Sequence, residues 1–430
     1  MSRGIASRHA NLWEETAIAA PPISVLDRSR TTDVLVIGAG YLGLSAALHL
    51  AEAGVGVVAL DAEAPGWGAS GRNGGQIIPG LKYDPDELEA MLGHERGERL
   101  WRFAGATADT VFDLVARHGL QVEAKRTAWV QGLHSSAAVE RAKRRAEQWQ
   151  RRGAAVEYLG AAEAASLAGT GRYLGAFVDR RAGALHPLSY ARELCRAALA
   201  LKARVHGKTR VVSLARNGAR WRAKTSTGAT VDSDTVIVAT NAYADGLVAG
   251  LAPSIVAANS LQIATAPLTA AQRRTILPGG EVLSDTRRII RYWRLDRDGR
   301  LIMGGRGPYR EPGPARDWAH LVRDVHDLFP ALGDVAFTHR WGGRVAIHPD
   351  YMPRLHRAAP GMLIAVGCQG RGIGWQSAMG AELARLARQS DYDPVLPITP
   401  IAPIRFHGFK ALGVTATIAA YRVLDRLGVS

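Results

Sequence analysis

The chain has 430 residues, too many for one ordinary hydrophobic core, so at least two folding units are expected. Its hydrophobic fraction of 47% is that of a globular protein, and its two cysteines argue against a disulfide framework and for a cytoplasmic location. The net charge of +15 comes from basic residues scattered along the chain without a recognised binding module, so no nucleic-acid partner is expected.

Neither secretion nor membrane insertion is predicted. The first 30 residues lack the apolar core of a signal peptide. No run of about 18 apolar residues predicts a membrane-spanning helix.

The chain continues, after an arm at residues 1–31, with a strand, a turn, a helix and a second strand. Residues 33–37 are a run of Val, Leu and Ile after Asp33, which predicts a buried parallel strand. The spacing of apolar residues predicts a helix over 44–53, and residues 55–60 predict the second strand.

Three glycines and one acid are placed around these elements. Gly38, Gly40 and Gly43 follow the first strand at G-x-G-x-x-G spacing, and Asp61 ends the second strand. Gly38 suits the tight turn, Gly40 lets a pyrophosphate approach the backbone, and Gly43 lets helix and strand pack closely. An acid about 20 residues beyond the glycines can accept a hydrogen bond from a ribose hydroxyl. The complete context predicts a dinucleotide site.

The rest of the chain alternates between helical and strand-rich regions. Helices are predicted over 85–118, 137–152, 187–201, 318–328, from the glycine-rich segment 367–374 to about 388, and over 412–427. Strands are predicted over 203–206, 210–215, 220–224, 230–231, 235–239, 257–267, 281–283, 288–293, 301–304, 335–345 and 362–366.

These elements predict an α/β protein whose nucleotide-binding domain is assembled from separated pieces. That domain comprises residues 32–80, 185–250 and 346–390, and a substrate domain with a mixed, largely antiparallel sheet and helices comprises 81–184 and 251–345. Residues 391–430 form a tail with a short helix, which is expected to dock on the protein, with a membrane surface as the alternative.

Five further motifs carry a resemblance to a known family. They are LWEETA at 12–17, GASGRNGGQ at 68–76, ATNAY at 239–243, WGG at 341–343 and GCQGRGIG at 367–374. Together they resemble the D-amino-acid-oxidase/glycine-oxidase superfamily of FAD-dependent oxidoreductases, most closely gamma-glutamylputrescine oxidase-like proteins, over nearly the whole chain. The resemblance implies a Rossmann-like, glutathione-reductase-type FAD domain. It also implies oxidation of a small-molecule amine or amino acid, with oxygen, a quinone or another acceptor taking the electrons.

The resemblance further implies an extended FAD, and we expect it to be bound without a covalent link. The residues implied at the cofactor are Gly38, Gly40, Tyr41, Leu42, Gly43, Asp61, Ser70, Gly71, Arg72, Asn73, Gly74, Gly75, Val212, Thr240, Gly370, Arg371, Gly372 and Ile373. Val212 would present its backbone to the adenine. Cys368 is interpreted as a half-buried thiol rather than a tether. Gly374 stands where sarcosine-oxidase-like proteins tend to have a Lys, which favours a larger amine whose acidic group is held farther out.

Candidates for the catalytic and substrate-binding residues come from two predicted strands. They are Tyr292, Trp341, Arg294 and His348, and an aromatic wall suits an amine or its alkyl chain. The alternative is that they are ordinary sheet-core residues. The 13 histidines show no spacing typical of a zinc site, so no metal is expected. Two alternative functions stay open. One is an NAD(P)-dependent reductase. The other is a protein that binds FAD for an assembly or tRNA-related role and does not catalyse turnover.

Overall fold

The computed structural model describes residues 10–405, 407–409, 417, 420, 421, 424 and 425. The helices are α1 Leu12–Thr16, α2 Tyr41–Glu52, α3 Pro85–Leu92, α4 His94–Gly105, α5 Thr107–His118, α6 Ser136–Arg151, α7 Ala161–Ala168, α8 Pro187–Ala200, α9 Ala270–Thr275, α10 Ala319–Leu328 and α11 Gly372–Arg388. The strands are β1 Arg30–Ile37, β2 Val57–Leu60, β3 Gln76–Ile77, β4 Lys125–Arg126, β5 Trp129–Gly132, β6 Val156–Gly160, β7 Gly175–Asp179, β8 Gly183–Ala184, β9 Arg204–His206, β10 Val211–Asn217, β11 Arg220–Thr225, β12 Thr230–Val238, β13 Val256–Pro267, β14 Val282–Asp285, β15 Arg291–Leu295, β16 Arg300–Arg306, β17 Phe337–Ile347, β18 Arg354–Ala359 and β19 Met362–Val366.

The first sheet, called the nucleotide sheet, has the order β10-β11-β12-β1-β2-β9, with β19 beside β12 and β18 beside β19. Its centre is parallel, because β1 pairs in parallel with both β12 and β2, and β12 pairs in parallel with β19. The run Val34–Ile37 of β1 is buried throughout, as expected for a central parallel strand covered by helices. The sheet therefore takes strands from three distant parts of the chain.

Helix α2 packs so closely against α11 that no side chain fits at position 380 of α11. A Cβ atom at Gly380 of α11 would lie 2.7 Å from the carbonyl oxygen of Leu42. Ser45 also donates from Oγ to the carbonyl of Ser377 at 2.7 Å. The start of α2 is thus held in place beside the carboxyl end of β1.

The second sheet has the order β17-β13-β16-β15-β14-β5-β7-β6. Its pairs are antiparallel except for β14 with β5, so the predicted mixed, largely antiparallel sheet is confirmed. Helix α10 covers one face, on which Trp293 is fully buried against Phe329. The opposite face carries Tyr292, whose ring lies next to Gly74 in the segment between β2 and β3.

Two predicted elements differ from the structure. The helical region 85–118 is three helices, because Gly93 has a φ of +80° and ends α3. The strands predicted over 230–231 and 235–239 are one continuous strand, β12.

The tail helix predicted over 412–427 falls largely outside the described residues. Of its described residues, Asp425 accepts hydrogen bonds from the backbone N–H groups of Arg288 and Ile289, both at 2.9 Å. Within the described part of the chain, no helix has the length and hydropathy that crossing a bilayer requires.

Candidate active site

A cleft of about 530 Å³ opens at the carboxyl end of β1 and β2. Of the residues predicted at the cofactor, those that line it are Gly38, Gly40, Tyr41, Leu42, Asp61, Ser70, Arg72 and Thr240. The others lie outside its lining: Gly43, Gly71, Asn73, Gly74, Gly75, Val212, Gly370, Arg371, Gly372 and Ile373. At one end Val211 lines the cleft in place of Val212, whose side chain is 56% exposed.

The start of α2 forms one wall of this cleft. Gly40 is the N-cap residue, and Ser70 Oγ accepts a hydrogen bond from the backbone N–H of Tyr41 at 3.0 Å. A Cβ atom at Gly40 would lie 2.9 Å from that same oxygen. Free N–H groups at a helix start carry partial positive charge, so this wall suits a pyrophosphate.

The carboxylate of Asp61 lies at the end of the cleft beyond β2. Its Oδ2 accepts from the backbone N–H of Ala39 at 2.7 Å, and Oδ1 accepts from that of Glu63 at 2.8 Å. Burial raises the pKa of Asp61, and these two backbone donors counteract the shift. Each oxygen keeps a further lone pair, which can accept from a ribose hydroxyl.

The lining of the cleft also includes a buried polar group. The side-chain amide of Gln376, on α11, lines the cleft and has no hydrogen-bond partner for its oxygen or nitrogen among the described residues. Buried amides are rarely left unbonded, so a ligand with a polar edge is expected there. The phosphate wall, the carboxylate and this amide together fit an extended dinucleotide.

The loop Gly68–Gln76, called the cofactor loop, borders the cleft and is fastened by side chains from distant parts of the chain. Trp13 donates from Nε1 to the carbonyl of Asn73 at 2.8 Å. Gln262 and Trp341 both donate to the carbonyl of Arg72, at 2.5 and 3.1 Å. A loop held from several sides can position a cofactor ring with little residual freedom.

The four predicted catalytic and substrate-binding residues lie in three different places. Trp341 is fully buried and Arg294 donates from Nε to the carbonyl of Gly74 at 2.7 Å, so both lie behind the cofactor loop. Tyr292 is half-buried and lies against Gly74, with its hydroxyl 2.8 Å from Ser260 Oγ. His348 is buried beside Gln369, and burial lowers its pKa to about 4.

Sequence reasoning missed several residues of the site, among them Trp13 and Gln376. Trp13 was assigned to a surface arm, but it is 2% exposed and bonds the cofactor loop. Gln376 lies directly after the predicted glycine segment, and a buried amide within the largely apolar first half of α11 is the signal that could have identified it. Cys368 is buried, and burial raises the pKa of its thiol, so it is held as the neutral thiol.

No cluster of metal-binding side chains accompanies the cleft. Among the residues that the structure describes, no group of three or more His, Cys, Asp or Glu side chains could hold a metal ion.

Comparison with known proteins identifies the family of the chain. Residues 33–386 match the family described as "DAO: FAD dependent oxidoreductase". A probable oxidoreductase, OrdL, from Rhizobium meliloti (strain 1021) is 32% identical over 87% of this chain and 87% of its own. Gamma-glutamylputrescine oxidoreductase from Escherichia coli (strain K12) is 31% identical over 95% of this chain and 96% of its own.

Solved structures agree in fold. The crystal structure of glycine oxidase from Geobacillus kaustophilus superposes with a TM-score of 0.72 at 18% identity, covering 87% of this chain and 99% of that one. The predicted α/β fold class and the predicted FAD are thereby confirmed, and neither rival function is favoured. The chain belongs to the DAO family of FAD-dependent oxidoreductases.

Proposed function

We propose that the protein oxidises a C–N bond of a small-molecule amine or amino acid by hydride transfer to FAD, in the manner of gamma-glutamylputrescine oxidase-like proteins. The main support for the proposal is the contact between the second sheet and the cofactor loop, where the ring of Tyr292 lies next to Gly74. The similarity to gamma-glutamylputrescine oxidoreductase along nearly the full length of both chains supports it.

Bound FAD would accept a hydride from the carbon that carries the nitrogen, and the resulting imine would be hydrolysed to a carbonyl compound and an amine. The chain's task is to place a neutral amine and its C–H bond at the right distance. The hydrogen bonds from Trp13, Gln262 and Trp341 to the cofactor loop serve that positioning.

Tyr292 supplies the wall on the substrate side. Burial raises the pKa of its hydroxyl to about 12, so the group is neutral near pH 7 and hydrogen-bonds Ser260 at 2.8 Å. We therefore assign Tyr292 a positioning role toward substrate rather than a role as general base. His348, with a pKa near 4, is likewise neutral and carries no charge that would repel an amine.

The proposal is tested with a panel of amines and amino acids and two acceptor assays. Peroxide formation in air would identify oxygen as the acceptor, and reduction of an artificial quinone without peroxide would identify a dehydrogenase. Detection of a carbonyl product with either acceptor is the expected result. If the protein oxidises NADPH and none of the amines or amino acids, the proposal is contradicted.

We also propose a cytoplasmic location, because the two buried cysteines are free thiols.

A further inference from the structure

A second cavity, of about 460 Å³, lies beside the cofactor loop, and we call it the rear pocket. Among the described residues, none lines both this pocket and the cofactor cleft. Its lining includes Trp13 and Arg294, which are 2% and 7% exposed and bond the carbonyls of Asn73 and Gly74 in the cofactor loop. Small-molecule sites typically have volumes of about 300–1,000 Å³, so the rear pocket is large enough to be one.

The carboxylates that line the rear pocket are already paired with arginines. Glu123 accepts a hydrogen bond from Arg297 at 2.6 Å. Asp296 and Asp298 both accept from Arg300, at 2.9 and 2.5 Å. A cationic ligand would therefore have to compete with these arginines for every carboxylate in the lining.

Three cations of the lining have no carboxylate within 4 Å among the described residues: Lys125, Arg273 and Arg294. Lys125 donates from Nζ to the carbonyl of Gly279 at 3.0 Å. The side chain of Arg273 has no hydrogen-bond partner in the described part of the chain. Arg294 bonds neutral carbonyls only, and its Nη1 makes a single long contact of 3.5 Å, to the carbonyl of Leu295. The lining thus contains more positive charge than its carboxylates neutralise.

Strand pairing and a turn bring these three cations to one place. Lys125 on β4 pairs with β8, and Leu185, the residue directly after β8, accepts from Nη2 of Arg294 at 2.9 Å. Arg273 on α9 lies against Gly299, in the turn between β15 and β16, because a Cβ atom at Gly299 would be 3.0 Å from Nη1 of Arg273. Like charges that are gathered in one cavity repel one another and favour an anion between them.

Arg294 provides the buried donor for such an anion. A guanidinium group has five N–H donors, and only three of those of Arg294 have partners among the described residues. A charged donor forms a hydrogen bond to an anionic oxygen that is roughly twice as strong as a bond between neutral groups. Because the same guanidinium also bonds Gly74, an anion that fixes it in place also fixes the cofactor loop.

We propose that the rear pocket binds a small oxyanion with at least two negative charges, either a phosphate compound or a polycarboxylate, and that its binding slows the release of FAD. This oxyanion is not the amine that is oxidised, since the pocket is separate from the cofactor cleft. The proposal holds whichever amine is the substrate. An anion that stabilises the loop around bound FAD must, by linkage, bind the FAD-loaded protein more tightly than the apoprotein.

The first test is the binding of pyrophosphate and of citrate to the protein with a full complement of FAD, measured by calorimetry at low ionic strength. Bound FAD keeps the pyrophosphate probe out of the cofactor cleft. We expect at least one of the two anions to bind in a 1:1 complex, and its identity distinguishes a phosphate site from a polycarboxylate site. Acetate, with a single charge, should bind at least about 10-fold more weakly. If neither anion binds at millimolar concentration, the proposal is wrong.

Variants at the rim show where the anion binds. Lys125→Gln and Arg273→Gln should each weaken binding at least about 10-fold, because a hydrogen bond to a charged group is worth about that factor or more. Arg273→Lys keeps the charge and should retain part of the affinity. Arg274→Gln is the matched control, since Arg274 is the exposed neighbour on α9 that does not line the pocket. Equal affinity in all of these proteins would place the anion elsewhere and overturn the proposal.

The second test follows the release of FAD from the diluted protein by the rise in flavin fluorescence. We expect the anion that binds to slow this release at least about 5-fold, which is the lower end of typical couplings between two sites. Arg273→Gln should need about 10-fold more anion for half of the effect. Melting temperature and initial FAD content, compared with the wild type, show that each variant is folded. Binding of an anion with no change in FAD release would overturn the link between the rear pocket and the cofactor.

Discussion

The guanidinium of Arg294 is bonded to backbone carbonyls of two segments: Nε donates to Gly74 at 2.7 Å and Nη2 donates to Leu185 at 2.9 Å. The group is buried and lies 5.2 Å from the ring centre of Trp13. Burial lowers its pKa to about 10, which still leaves it charged at neutral pH. A buried cation is thus used to fix the cofactor loop against the start of α8.

Replacing Arg294 by Met should loosen the cofactor loop. Two buried carbonyls lose their donors, so we expect the free energy of unfolding to fall by about 2–3 kcal/mol and FAD affinity to fall at least 10-fold. Urea unfolding and FAD titration of the apoprotein measure the two effects. Arg297→Met, which removes an exposed ion pair with Glu123, is the control and should cost less than about 1 kcal/mol. Unchanged FAD affinity in Arg294→Met would show that the loop is held by other contacts.

Gly40→Val should yield apoprotein with an intact fold. The added side chain projects toward Ser70 Oγ, into the place assigned to the pyrophosphate. Gly171→Val is a matched control, because a Cβ atom there meets nothing within 4 Å. The measurement is FAD content per chain together with the circular dichroism spectrum. If Gly40→Val binds FAD at wild-type occupancy, the pyrophosphate does not lie beside Gly40.

Gly304→Ala should reproduce the effect of removing the Tyr292 ring. A Cβ atom at Gly304 would clash with that ring, so the substitution displaces Tyr292 from the cofactor loop. We expect both Gly304→Ala and Tyr292→Ala to keep FAD and to lose at least roughly 10-fold in the rate of flavin reduction by amines, since small misplacements of substrate are costly. Tyr292→Phe keeps the ring and should lose much less. Equal losses in Phe and Ala variants would point to the hydroxyl instead of the ring.

The sequence was sufficient for the parts of the fold that are local. The strand, glycine turn, helix and second strand of the dinucleotide motif are contiguous, so their spacing alone predicted β1, α2 and β2. Tyr292 and Arg294 are two residues apart on β15 and therefore share a face, and in the structure both reach Gly74. The single strand β12 was split in the prediction because the polar residues Asp232–Asp234 interrupt its apolar pattern.

Contacts between distant segments could not be predicted. Trp341 bonds a carbonyl 269 residues away, and nothing in its own strand distinguishes that role from packing against a substrate.

The most direct test of the account is an anaerobic titration of the purified yellow protein with amines and amino acids, followed by flavin absorbance. We expect at least one amine or amino acid to bleach the flavin in a stoichiometric step, with one carbonyl product formed per flavin. Failure of every amine and amino acid to bleach a flavin that dithionite reduces fully would contradict the assignment of amine oxidation to this site.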